Sequence, residues 1–177
     1  MSRTAVSLQQ IKGSDMQRII FGVLSGVCAT MVMTAAMRQL YLQLDEDKRY
    51  PLHPSEITNE VIGNQGRKKH QTLTVLAHFA FGGLTGALYP VFDRKLNGLQ
   101  YGSIIWGLSY LGWVPAARIL QPATQHPLER NLLMLTVHLI WGAALSSSLR
   151  ELDKSAASIF TTGPIRDAGG KYPATNR

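Results

Sequence analysis

The chain has a single cysteine, Cys28, among 177 residues. No internal disulfide and no cysteine-based metal site can therefore form, and a lone thiol in an apolar segment reads as a small core residue. Acidic residues are also scarce: 11 against 18 Lys and Arg, for a formal charge of +7. A soluble protein with that balance would suggest nucleic acid. Here no basic stripe is interleaved with aromatic residues, so nucleic acid is not expected as a partner. Paired catalytic carboxylates, a nucleophile elbow and a phosphate-cradling glycine loop are missing as well. An enzyme is therefore not the expected class, and no catalytic residue, metal or cofactor is expected.

The most informative absence is local. Mean hydropathy is near zero, but the charges are unevenly spread. None falls in the 19 residues between Arg18 and Arg38, the 22 from Gln71 to Phe92, the 22 from Leu96 to Ala117, or the 19 from Asn131 to Leu149. Roughly 20 largely apolar residues in a helix cross about 30 Å of hydrocarbon. A soluble bundle would instead show a polar face on each helix. The expected fold is all-α, an integral membrane four-helix bundle with spans at about 19–44, 72–92, 99–120 and 131–149. Around this 19–150 membrane domain lie a polar head, 1–18, and a disordered tail, 151–177, rich in glycine and proline. The first apolar run is longer than the roughly 7–15 residues of a signal-peptide core, so it reads as a retained span.

Lys and Arg counts set the orientation. The head, the 93–98 turn and the tail carry ten, and the other side carries eight. Both termini are then expected in the cytoplasm, although Arg67-Lys68-Lys69 opposes this. Tyr41, Tyr50, Tyr101 and Trp113 fall near the expected interfaces, as an aromatic belt would. Pro54-Ser55-Glu56 reads as the opening turn of a short loop helix through Val61. Pro115 is a candidate kink in the third span.

A weak repeat runs through the chain. His78-Phe79-Ala80-Phe81-Gly82 matches His138-Leu139-Ile140-Trp141-Gly142, an H-x-x-[FW]-G pattern. The first and third spans align with an offset of eighty, pairing Gly22 with Gly102 and Arg38 with Arg118. His53-Pro54-Ser55-Glu56 matches His126-Pro127-Leu128-Glu129. Two tandem helical hairpins follow from this order.

Small residues recur every fourth position: Gly22, Gly26, Thr30 and Thr34 before Arg38; His78, Gly82 and Gly86; His138, Gly142 and Ser146. Such residues let helices approach closely where lipid supplies no hydrophobic force. Gly22, Gly26, Gly82, Gly86 and Gly142 are the packing candidates. Four residues turn the helix by about 400°, so each stripe drifts around its helix.

The intramembrane polar candidates are His78, His138, Arg38 and Arg118, since ionisable groups in spans are rare and usually face the interior. The histidines lie about two turns into helices that start on the same side. They are expected to face each other or a shared cavity, with Thr30, Thr34, Ser109 and Tyr110 as polar partners. Structural hydrogen bonding, a proton relay or solute site, and axial haem ligation all fit two such histidines. The arginines fit either snorkelling to the interface or pairing with Glu56 and Glu129. His53, Glu56, His126 and Glu129 fit capped helix starts or a loop metal site.

The stretch from His78 to Arg150 resembles the YagU-like family of uncharacterised bacterial inner-membrane proteins. The resemblance rests on His78 through Tyr89 with Gly86, the Gly98/Gly102 pair, Pro122, and His138-Leu139-Ile140-Trp141 followed by Arg150. It implies a bacterial cytoplasmic-membrane location and transfers no catalytic residue. The expected function is non-enzymatic: assembly, as a homo-oligomer in the lipid bilayer, or binding or transport of a small solute or ion. The alternative is a haem-binding or redox membrane protein using His78 and His138.

Overall fold

The computed structural model describes residues 3–44, 67–118, 121 and 123–158. All regular structure among them is helical. Helix α1 runs Arg3–Leu42 and α2 runs Arg67–Phe92. Helix α3 starts at Gly98–Gly107, widens into a π-helical turn at Leu108–Trp113 and ends in Val114–Ala116. A 3₁₀ turn, Ala123–Gln125, precedes α4, Leu128–Ser158. Three of the four helices, α1, α2 and α4, are long and apolar enough to cross a membrane.

Several boundaries differ from the sequence reading. Helix α1 begins inside the expected polar head, and α4 runs past Leu149 to Ser158, through the first part of the expected disordered tail. Hydropathy marks where a helix is apolar, whereas polar turns continue a helix at no hydrogen-bonding cost. The third span is shorter than expected, ending at Ala116 rather than about residue 120. The short helix expected at 54–61 lies outside the described residues.

The connection between α2 and α3 is tight because local chemistry specifies it. The Asp93 amide bonds the Tyr89 carbonyl and the Leu96 amide bonds that of Phe92, closing α2. Asn97 then caps α3 in a reciprocal box: its side chain accepts from the Gln100 amide at 2.9 Å, and Gln100 Oε1 accepts from the Asn97 amide at 3.0 Å. Two of the otherwise orphaned N–H groups at this helix start are thereby satisfied. Arg18 locks the same end of the bundle. Its guanidinium bonds Asp93 Oδ2 at 2.5 Å and Asp153 Oδ2 at 3.2 Å. The start of the apolar part of α1, the α2–α3 turn and the end of α4 therefore share one face.

Close backbone contact joins α1 to α2, α1 to α4, and α4 to the first segment of α3. The order around the bundle is α2, α1, α4, α3. Glycines make two of these contacts. A Cβ on Gly22 would lie 2.6 Å from the Gly86 carbonyl and 3.0 Å from the Pro90 ring, and one on Gly26 would collide with the Gly82 carbonyl. At the second crossing a Cβ on Gly98 would collide with the Gly142 carbonyl and lie 2.7 Å from Ser146 Cβ. Gly102 abuts the His138 carbonyl.

The two crossings share a register. Gly82 meets Gly26 and Thr30, while Gly142 meets Gly98 and Gly102. Gly26 thus corresponds to Gly98 and Thr30 to Gly102, an offset of 72 rather than the eighty read from the sequence. The sequence alignment slipped by about two helical turns, which a small-residue stripe of period four cannot resist.

Apolar side chains cover the outside of the bundle as well as its core. Ser25, Thr30, Thr85, Ser109 and Ser146 are buried, while Ile20, Leu24, Met31, Val75, Leu76, Leu84, Val91 and Leu108 are exposed. An outward apolar surface, over an interior that mixes apolar side chains such as Met134, Val137 and Leu145 with small and polar residues, is what a bilayer solvent selects. Cys28 belongs to this outer surface, against the expectation of a core position.

Candidate functional site

The shape of α3 decides where space opens. Proline cannot donate to the helix, and its ring crowds the carbonyl four residues back. The Pro115 ring would press on the carbonyl of Leu111, and the turn just before it is wide: Val114 N–H reaches the Ser109 carbonyl, five residues back. Gly112 takes non-helical angles (φ −105°, ψ −108°) inside that turn. Pro115 thus acts as expected, but the distortion lies one turn upstream of it. Beyond Gly107, α3 leaves the close contact with α4 that its first segment keeps. A cavity of about 250 Å³ lies there.

All four helices line it. α1 contributes Thr30, Met33 and Met37. α2 contributes Thr74, Ala77, His78, Phe81, Gly82 and Thr85. α3 contributes Ile105, Ser109, Tyr110, Trp113 and Val114, and α4 contributes Met134, His138 and Trp141. The H-x-x-[FW]-G repeat supplies the same three elements from each hairpin. The histidines (78, 138) and aromatics (81, 141) line the cavity, and the glycines (82, 142) form the crossings beneath it. His78 and His138 therefore share one cavity, as expected.

The polar groups are placed by specific bonds. His138 Nδ1 lies 2.7 Å from the Met134 carbonyl. A carbonyl can only accept, so Nδ1 carries the proton and Nε2 of the neutral ring is left as an acceptor. His78 Nε2 is buried with no hydrogen-bond partner among the described residues. Thr30 donates to the Gly26 carbonyl at 2.8 Å and accepts from Trp141 Nε1 at 3.2 Å. It therefore fixes the Trp141 ring instead of serving a histidine. Thr34 is exposed and bonds the Thr30 carbonyl, so it is no histidine partner either.

Between α2 and α3 the wall is made by side chains. Tyr101 donates to the Thr85 carbonyl at 2.7 Å and lies 5.0 Å, ring to ring, from Tyr89. Phe81 and Trp113 meet at 6.2 Å and are both substantially exposed. Tyr101 is 3% exposed and belongs to the core, not to an aromatic belt. Trp113 lies at the surface, Tyr41 is half-buried, and Tyr50 is outside the described residues.

Of the remaining sequence candidates, Arg38, Arg118, His126 and Glu129 are not among the residues that line the cavity. Arg38 is exposed on the far part of α1, where the Gly22–Gly26–Thr30 stripe has rotated off the interface. Arg118 is exposed in the turn after α3, at φ 57°. Both are exposed rather than facing the bundle interior. His53 and Glu56 lie outside the described residues. His126 Nε2 lies 3.0 Å from the Gln121 carbonyl, and Glu129 sits exposed in the first turn of α4. Among the described residues no cluster of three His, Cys, Asp or Glu could hold a metal.

Ser109 and Tyr110 line the cavity as expected, whereas sequence reasoning missed the lining by Met33, Met37, Met134 and Trp141, and also the burial of Arg130 at the start of α4. The H-x-x-[FW] pattern could have found Trp141. The methionines and Arg130 carry no spacing signal.

A haem fits this cavity poorly. Pockets for drug-sized ligands run from about 300 to 1,000 Å³, and at about 250 Å³ this cavity is below that range. Comparison with family models, characterised proteins and solved structures finds no match.

Proposed function

We propose that this chain is a non-enzymatic, multi-pass protein of a bacterial cytoplasmic membrane, with both termini in the cytoplasm, that binds a small solute in the cavity between His78 and His138. The observation carrying the reading is that cavity: two histidines from different hairpins in an otherwise mostly apolar chamber inside the bundle. Close-packed helices leave few voids, and polar groups left inside them cost stability. A chamber bordered by an unpartnered His78 Nε2 is therefore unfavourable unless something uses it. The location follows from the resemblance to YagU-like proteins and from the ten-to-eight basic count.

The test is occupancy. Ala77 lines the cavity but is itself exposed, so Ala77→Trp can fill the chamber without a core clash. Purified protein in lipid nanodiscs is screened against a panel of small neutral solutes by saturation-transfer NMR. At least one should bind saturably to the native chain and lose binding to the filled variant. No saturable binder, or equal binding by Ala77→Trp, would refute the reading.

A further inference from the structure

The lining is selective in what it lacks. Among the described residues no Lys, Arg, Asp or Glu borders the cavity, and Arg38 and Arg118 are exposed elsewhere. A charged solute would lose its water there and gain no counter-ion, so the occupant must be neutral. Phe81, Tyr110, Trp113 and Trp141 present aromatic rings to the space, and Met33 and Met134 add adaptable thioethers. Planar rings fit such walls by stacking and by sulfur contact.

The polar requirement is equally specific. With Nδ1 of His138 committed to the Met134 carbonyl, its Nε2 is an acceptor. His78 Nε2 is buried and unmatched, and serves as donor or acceptor according to its tautomer. A hydroxyl both donates and accepts, so one hydroxyl can answer both rings.

We propose that the occupant is a small, uncharged, planar molecule of the phenol type, whose hydroxyl donates to His138 Nε2 while its ring stacks on the aromatic wall. This rests on the solute-binding reading above and adds the ligand class to it. A phenol keeps its proton at neutral pH, as the tyrosine side chain does, and so enters uncharged.

The test uses the full chain in nanodiscs and four probes: phenol, anisole, toluene and benzoate. Anisole keeps the oxygen but cannot donate, toluene lacks the oxygen, and benzoate is charged. Tryptophan fluorescence, excited to the red of phenol absorption, reports occupancy because Trp113 and Trp141 line the site. Phenol should bind saturably, and anisole and toluene at least about tenfold more weakly, the loss of roughly one hydrogen bond. Benzoate should not compete. His138→Leu should abolish the preference for phenol, and His138→Gln, which keeps an acceptor, should restore part of it. Anisole binding as tightly as phenol would overturn the proposal while leaving solute binding intact, and that comparison needs no variant. Preference for phenol surviving in folded His138→Leu would overturn it too. If none of the probes binds but the wider panel supplies a binder, the ligand class is wrong and the cavity's role stands. If neither gives a binder, both fall.

Discussion

Gly86→Ala adds one methyl group to the α1–α2 crossing. The new Cβ would lie 2.5 Å from the Gly22 carbonyl and 2.6 Å from Gly26 Cα. Ordinary contact begins at 3.4 Å, so the helices must separate by about 0.9 Å. A gap of that size forfeits a quarter to a half of the dispersion energy of each contact along the crossing. Overpacking of this kind costs about 1–3 kcal/mol, offset by up to about 1 kcal/mol of helix propensity. Gly107→Ala makes the same chemical change where nothing lies within 4 Å of the new atom. It should therefore be neutral or stabilising by up to about 1 kcal/mol. Leucine at Gly82 or Gly26 should be worse than alanine at Gly86, whereas Leu84→Ala, on the outer surface at 70% exposure, should change stability by no more than about 0.5 kcal/mol. Folded fraction against mole fraction of sodium dodecyl sulfate, in mixed micelles, measures all five. Gly86→Ala matching the native chain, or Gly107→Ala falling as far as Gly86→Ala, would refute the packing argument.

Three further outcomes are expected. With Cys28 replaced by serine, cysteines at positions 78 and 138 should cross-link through a short bifunctional reagent, while cysteines at 38 and 138 should not; equal yields would contradict a shared cavity. Arg18→Gln and Asp93→Asn should each destabilise the bundle, with a double-mutant coupling of about 1 kcal/mol that shrinks at high salt, because both side chains are only partly buried. Reporter fusions after Asn97 and Asn176 should give cytoplasmic signals and those after Gln65 and Gln125 periplasmic ones; a periplasmic signal at Asn97 would reverse the orientation.

The sequence alone determined where the four helices lie and that three of them are long and apolar enough to cross a membrane. Four uncharged blocks are a one-dimensional property, because covering hydrocarbon is a matter of length and composition, and the blocks carry the cores of α1 to α4. The packing glycines were legible for a similar reason. A period of four keeps small residues near one face for about two turns, long enough for Gly22, Gly26, Gly82, Gly86 and Gly142 to reach a crossing. The same arithmetic explains the failures. Beyond two turns the stripe rotates off the face, which left Thr34 and Arg38 exposed though they continue the series. Only the tertiary structure decided which register pairs the hairpins, since an eight-residue slip in a stripe of period four looks alike in sequence but moves the contact by about two turns. It alone decided that Tyr101 is core and Cys28 is surface, because one helical position separates facing a neighbour from facing outward. The cavity also belongs to the tertiary structure. Pro115 and Gly112 are visible in the sequence, but that their wide turn swings α3 away from α4 beside His78, His138 and Trp141 depends on how four helices meet. No property of one segment encodes that.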